Sequence, residues 1–227
     1  MRVPSLIAAA ALVFTAPSLS GQSIASPFRF IDTRKELAVF GGWVSPGAGR
    51  FGYGPQPGSL SGVRGSLEFG GPLSVEAVLG LSPTARDIVN PARPTDRVIG
   101  ETDMTLVSID GRVKLSLTGQ RTWHGLSPYL SAGAGLAWDL DQGSVVEEQE
   151  LPEEDRFEMG TAFASQVGGG IRWFPTDLVV VRAEALLHLW RLEAPEGFRD
   201  PERGFGDVGE SEWIQGGGFT LGVGYRF

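Results

Sequence analysis

The last fifteen residues are Trp213-Ile-Gln-Gly-Gly-Gly-Phe-Thr-Leu-Gly-Val-Gly-Tyr225-Arg-Phe227, and they alternate bulky apolar side chains with small or polar ones. Successive side chains of a β-strand point to opposite faces of the sheet. One face of this strand therefore carries Trp213, Phe219, Leu221, Val223, Tyr225 and Phe227, and the other carries Gly216, Gly218, Thr220, Gly222, Gly224 and Arg226. An apolar outer face around a small or polar interior predicts a transmembrane β-barrel.

The same ending resembles the C-terminal signature of bacterial outer-membrane barrels, which close on Phe with an aromatic residue two positions earlier. Phe227 and Tyr225 occupy those positions. The resemblance implies that the last strand is read by the barrel-assembly machinery, and that Tyr225 and Phe227 act as the assembly signal.

The N-terminus predicts export. Met1-Arg2 precedes an apolar stretch from Leu6 to Ala16, and small residues follow up to a cleavage site near Ser20 to Gln22. This is the pattern of a secretory signal peptide, and the apolar stretch is too short to span a bilayer as a helix. We predict a signal peptide over 1–22, a periplasmic lead-in over 23–35 and an outer-membrane barrel domain over 36–227.

Composition excludes several classes of protein. The chain has no cysteine, which excludes disulfide scaffolds and thiolate metal sites. No run of 18 apolar residues follows the signal, which excludes a helical membrane protein. A net charge of -8 disfavours nucleic acid as a partner. We predict no catalytic residue, cofactor or metal site.

Period-two patterns between turn signals predict eight strands near 36–45, 60–71, 73–82, 102–117, 127–139, 160–174, 178–193 and 213–227. The connections alternate in length: those over 46–59, 83–101, 140–160 and 194–212 are long and polar, and the others are short. Short periplasmic turns and long extracellular loops are typical of an up-and-down outer-membrane barrel. The even strand number predicts that both termini lie on the periplasmic side.

Alternation along the strands also sorts the charged residues. On the fourth predicted strand, Asp110, Arg112 and Lys114 lie opposite an apolar face, so they must point into the lumen. The inward candidates are Arg64, Glu68, Glu76, Asp110, Arg112, Lys114, Asp139, Arg172, Arg182, Glu184, His188 and Arg226. An eight-stranded barrel is just wide enough for side chains to fill it. Because opposite charges nearly balance in this set, we expect ion pairs that plug the lumen.

Aromatic residues fall near the strand ends, where the two membrane interfaces lie. We predict an aromatic girdle of Phe69, Trp138, Trp173, Trp213, Tyr225 and Phe227. Trp190 has inward parity, and Trp43 stays unassigned because the first strand alternates poorly.

The candidates for other chemistry are few. His124 is predicted to be a solvated turn residue. Small outer-membrane barrels that modify lipid A use a His with a Ser and a carboxylate, but His188 has lumen parity and no nearby Ser. The acidic segment 147–156 is predicted to be a solvated extracellular loop, and weak binding of a divalent cation there is the alternative.

The whole mature sequence resembles the small eight-stranded outer-membrane barrels of the OmpA-barrel and OmpX-like family. The resemblance implies an all-β, antiparallel transmembrane barrel in contact with outer-membrane lipid and lipopolysaccharide. We expect a non-enzymatic envelope scaffold or surface-interaction protein. A narrow channel for small or apolar solutes and a lipid A-modifying enzyme are the alternatives. A soluble periplasmic barrel would need the opposite polarity on its two faces.

Overall fold

The structure is a computed structural model, and it describes residues 26–31, 35–141 and 143–227. The predicted signal peptide over 1–22 lies outside the described residues. No helix in the described ranges is long and apolar enough to cross a membrane.

Ten antiparallel strands form one closed sheet. They are β1 (Phe28–Phe30), β2 (Lys35–Ser45), β3 (Gly58–Glu68), β4 (Leu73–Val89), β5 (Val98–Ser116), β6 (Arg121–Trp123), β7 (Leu126–Asp139), β8 (Ala162–Trp173), β9 (Val179–Glu193) and β10 (Ser211–Arg226). Eight of them, all except β1 and β6, build the barrel wall, which closes where β10 pairs with β2. The predicted eight-stranded barrel is therefore confirmed.

The wall is apolar outside and polar inside. Leu221 is 53% exposed on the outer face, whereas Arg64 is only 2% exposed although it is charged. The start of β2 and the C-terminal residue lie at the same end of the barrel, because Lys35 N donates to Phe227 O and Phe227 N donates to Lys35 O. We call this the periplasmic end and the opposite one the extracellular end.

Inward glycines make room for large inward neighbours. A Cβ at Gly168 would lie 2.2 Å from Ala185 O and 2.8 Å from Leu186 Cδ2. A Cβ at Gly62 would lie 2.6 Å from Phe40 Cζ. The lumen therefore requires glycine at these positions because backbone and side-chain atoms of the adjacent strands already occupy the space.

One predicted connection is wrong. The segment over 83–101 was predicted to be a long loop, but most of it is a β-hairpin. Strand β4 extends to Val89 and β5 begins at Val98, so only 90–97 forms the turn. Pro83 suggested a strand end, but Pro83 stays in the ladder opposite Thr105. The Pro83 carbonyl oxygen points toward β3, but the regular pairing of β3 with β4 has already ended at Ser61 and Leu81. The backbone N–H that proline lacks is therefore not needed for a ladder hydrogen bond at this position.

The extracellular segments have their own core. They include helices α1 (Val145–Glu150) and α2 (Glu196–Arg199) and 3-10 turns over Glu153–Asp155 and Pro201–Arg203. Aromatic rings from three segments pack against one another, and the cluster comprises Phe51, Tyr53, Phe157, Phe198 and Phe205. This cluster covers the extracellular end of the lumen together with Trp190, Leu192 and Ile214.

The prediction of a solvated loop over 147–156 is wrong for two of its acids. Glu147 and Asp155 are buried, whereas Glu148, Glu153 and Glu154 are exposed. Charge alone suggested full solvation, but each buried carboxylate has an arginine partner brought from a distant segment.

Candidate functional site

The centre of the lumen is built around Glu76 of β4. Its carboxylate accepts hydrogen bonds from Arg182 Nη1 at 2.5 Å, Ser66 Oγ at 2.8 Å and Lys114 Nζ at 3.3 Å. Arg64 Nη1 lies 3.6 Å from its second oxygen. Three cations from β3, β5 and β9 thus share one buried carboxylate.

Glu184 of β9 extends this cluster toward the extracellular end. It accepts from Arg64 Nη1 at 2.8 Å and from Arg112 Nη1 at 3.2 Å. Arg112 also lies 3.8 Å from Asp110 Oδ2. Ser131 of β7 donates to the other Glu184 oxygen at 3.4 Å. These contacts join β9 to β3, β5 and β7 across the lumen.

A second branch runs to the periplasmic end. Arg182 Nη2 donates to Glu36 Oε1 at 2.6 Å, and Arg172 lies 4.0 Å from the other oxygen of Glu36. Arg172 Nη1 then donates to Glu68 Oε1 at 2.6 Å. Arg226 lies 3.9 Å from Glu68 Oε2.

We call this chain of contacts the lumen network. Its members are Glu36, Glu68, Glu76, Asp110, Glu184, Arg64, Arg112, Lys114, Arg172, Arg182 and Arg226. Six bases therefore face five acids, and each charge has a partner of opposite sign within 4.0 Å. The sequence-based prediction missed Glu36, which alternating burial along β2 places inside the lumen.

Asp139 and His188 point inward but lie outside the lumen network. Asp139 Oδ1 accepts from the amides of Thr105 and Asp141 at 3.0 Å, so it ends the β5–β7 ladder at the extracellular end. His188 pairs with Gln166 across β8 and β9, and its ring lies 6.4 Å from that of Trp190. A Cβ at Gly218 would lie 3.2 Å from its Nε2.

The surroundings of His188 do not form a catalytic triad. Among the described residues, none forms a hydrogen bond with the buried Nε2 of His188. Trp190, whose ring contacts that of His188, belongs to the extracellular cluster. His124 lies in an exposed periplasmic turn with a left-handed backbone, φ 51°.

Ion pairs fix the extracellular cover. Arg86 of β4 holds Glu147 of α1 through two hydrogen bonds, at 2.7 and 2.5 Å, and both side chains are buried. Arg203 Nη1 donates a hydrogen bond to Asp155 Oδ1, and this hydrogen bond raises the pKa of Arg203 above its ordinary value. Burial, reinforced by its hydrogen bond to Glu212, raises the pKa of Tyr53 well above its ordinary range.

Within the described ranges, no group of three or more acidic or histidine side chains is arranged to hold a metal.

The predicted girdle residues lie on the outer surface. Phe69, Trp173, Trp213, Tyr225 and Phe227 are exposed, and Trp138 is half-buried. Trp43, which the sequence left unassigned, is exposed and pairs with Phe219 of β10.

Comparisons with known proteins give the fold. No protein-family model and no curated protein matches the chain. Among solved structures, Neisserial surface protein A matches with a TM-score of 0.51 and 16% identity over 89% of this chain and 98% of that one. The N-terminal barrel domain of Pseudomonas aeruginosa OprF gives a TM-score of 0.44 at 15% identity over 86% and 99%. Ail, the attachment invasion locus protein of Yersinia pestis, gives 0.42 at 16% over 86% and 99%. The match to the Neisserial protein shows that this chain has the fold of a small outer-membrane β-barrel.

Proposed function

We propose that the protein is a non-enzymatic outer-membrane barrel whose lumen is closed and whose folded extracellular segments interact with external surfaces. The lumen network carries this proposal. Its buried charges join side chains from seven of the eight wall strands, and Ser131 adds the eighth. An eight-stranded barrel has little interior beyond what such side chains occupy.

The extracellular segments supply the surface for interaction. The segments over 46–57, 90–97, 140–161 and 194–210 carry fourteen acidic and six basic residues, a formal charge of -8. Glu147 and Asp155 are buried in ion pairs, and the other twelve acids are not buried. Because the aromatic core holds the segments in a defined shape, these twelve acids lie on a folded, negatively charged surface. Partners with cationic groups, including cations bound to lipopolysaccharide, fit such a surface.

Export and assembly follow from the chain ends. The N-terminal signal pattern directs the chain out of the cytoplasm, and Phe227 with Tyr225 is the proposed signal for the barrel-assembly machinery. We expect the protein to fractionate with outer membranes, and we expect deletion of Phe227 to lower the amount assembled.

A liposome-swelling assay tests the closed lumen. Vesicles that contain the folded protein should swell no faster in sugars or amino acids than empty vesicles. The lipid A of cells that carry His188→Ala should have the same mass as that of wild-type cells. Rapid swelling would favour the channel, and a changed lipid A mass would favour the enzyme.

A further inference from the structure

The segment that leads into the barrel forms a two-stranded ribbon at the periplasmic end. Phe28 pairs with Trp123, Arg29 with Thr122 and Phe30 with Arg121. Two backbone bonds extend the pairing, from His124 N to Pro27 O at 2.9 Å and from Ile31 N to Gln120 O at 3.0 Å. We call residues 28–31 and 121–123 the N-terminal ribbon.

The N-terminal ribbon has two chemically different faces. Phe28, Phe30 and Trp123 are each about half exposed on its outer face, at 50%, 55% and 51%. Arg121, which pairs with Phe30, is exposed on the same face, where its long side chain can reach the polar headgroups. On the inner face, Ile31 and Thr122 are buried. Arg29 also points to that side and forms an ion pair with Asp177 of the turn between β8 and β9.

The outer face continues the apolar surface of the barrel. Trp123 pairs with Leu126 of β7, and Leu126 pairs with Trp173 of β8. Residues paired directly across strands lie on the same face of a sheet. Trp173 belongs to the aromatic girdle and is also about half exposed, so Phe28 and Trp123 extend this row of aromatic and apolar side chains sideways.

The inner face covers the periplasmic end of the lumen. Ile31 packs with Phe174 and Val180 in a small buried apolar cluster. The guanidinium groups of Arg172 and Arg226 lie over the Phe174 ring at 5.4 and 4.9 Å. The N-terminal ribbon therefore lies directly below the last members of the lumen network.

We propose that the N-terminal ribbon is a membrane anchor: Phe28, Phe30 and Trp123 insert among lipids of the periplasmic leaflet and hold Ile31 across the lumen opening. Lipid is the occupant because the aromatic face is continuous with the apolar surface of the barrel. Aromatic rings are also the side chains that membrane interfaces select. This inference rests on the proposed outer-membrane location.

Fluorescent labelling at single cysteines tests the anchor, because the chain contains no cysteine of its own. Phe30→Cys, Arg29→Cys and Leu221→Cys are each labelled with a polarity-sensitive nitrobenzoxadiazole and reconstituted in phosphatidylcholine vesicles with or without nitroxide-labelled lipid. The label at position 30 should emit at shorter wavelength and lose fluorescence to the nitroxide lipid, as the label at 221 does. The label at position 29, one residue away on the inner face, should emit as in water and keep its fluorescence.

The controls separate the two hypotheses. If the label at 221 is not quenched, the lipid-facing assignment of the barrel wall fails, and with it the proposed function. If 221 is quenched but 30 behaves like 29, only the anchor is overturned. A blue-shifted label at 30 that nitroxide lipid does not quench would indicate contact with protein, such as a second copy, and would also overturn the anchor. Phe28→Cys repeats the test on the same face should Phe30→Cys fail to fold.

Discussion

At the residue scale, the side of the wall on which a charge lies decides its environment. The sequence predicted the inward position of Arg182, Glu76 and Glu184 because clear alternation fixes parity. It missed Glu36 because Gly41, Gly42 and Trp43 blur the alternation of β2. Which acid meets which base could not be predicted, because that depends on the stagger between strands that are distant in sequence.

Arg182→Ala should strongly destabilise the barrel. Arg182 is buried and bonds both Glu36 and Glu76, so its removal leaves two buried carboxylates with fewer partners. We expect the free energy of unfolding to fall by about 3–5 kcal/mol, measured by urea titration in micelles. Arg29→Ala breaks an exposed ion pair and should cost no more than about 1 kcal/mol. Equal effects of the two substitutions would contradict the buried network.

Leu221→Arg tests the lipid-facing side in the same assay. Leu221 is exposed at mid-strand, where a charge would enter the apolar region of the bilayer. We expect a loss of about 2–4 kcal/mol. Leu140 is similarly exposed, at 56%, but follows the extracellular end of β7, so Leu140→Arg should change stability by less than about 0.5 kcal/mol. A harmless Leu221→Arg would mean that the parity of β10 is misassigned.

At the element scale, the eight wall strands could be predicted because a period of two is a local property of the sequence. The extracellular core could not be predicted. Phe51, Phe157, Phe198 and Phe205 come from segments with no shared periodicity, and they meet only after the barrel brings their strands together. The buried pair of Arg86 and Glu147 was missed for the same reason.

Phe198→Ala should loosen the extracellular segments without unfolding the barrel. Phe198 is 1% exposed and stacks on Phe51, with ring centroids 4.6 Å apart. Loss of this contact should expose the acidic segments to a glutamate-specific protease, so that cleavage within 147–158 and within 196–210 becomes faster. Val145→Ala, at an exposed position of α1, is the control and should leave the rate unchanged. A protected Phe198→Ala variant would argue against a cooperative aromatic core.

At the scale of the whole molecule, three layers lie along the barrel axis. The aromatic cluster covers the extracellular end, the lumen network crosses the centre, and Ile31 with Phe174 lies at the periplasmic end. The fold class could be predicted from one strand and its polarity. The layered closure could be predicted only in its central part, because both covers depend on contacts outside the wall strands.

Planar-bilayer recording of the refolded wild-type protein tests the closed lumen most directly. Insertion is verified first by the heat-dependent shift in electrophoretic mobility that folded barrels undergo. We predict a current that stays at the background of the protein-free bilayer, because the buried ion pairs leave no continuous path for hydrated ions. Stable, ohmic conductance steps that recur with each insertion would contradict the account.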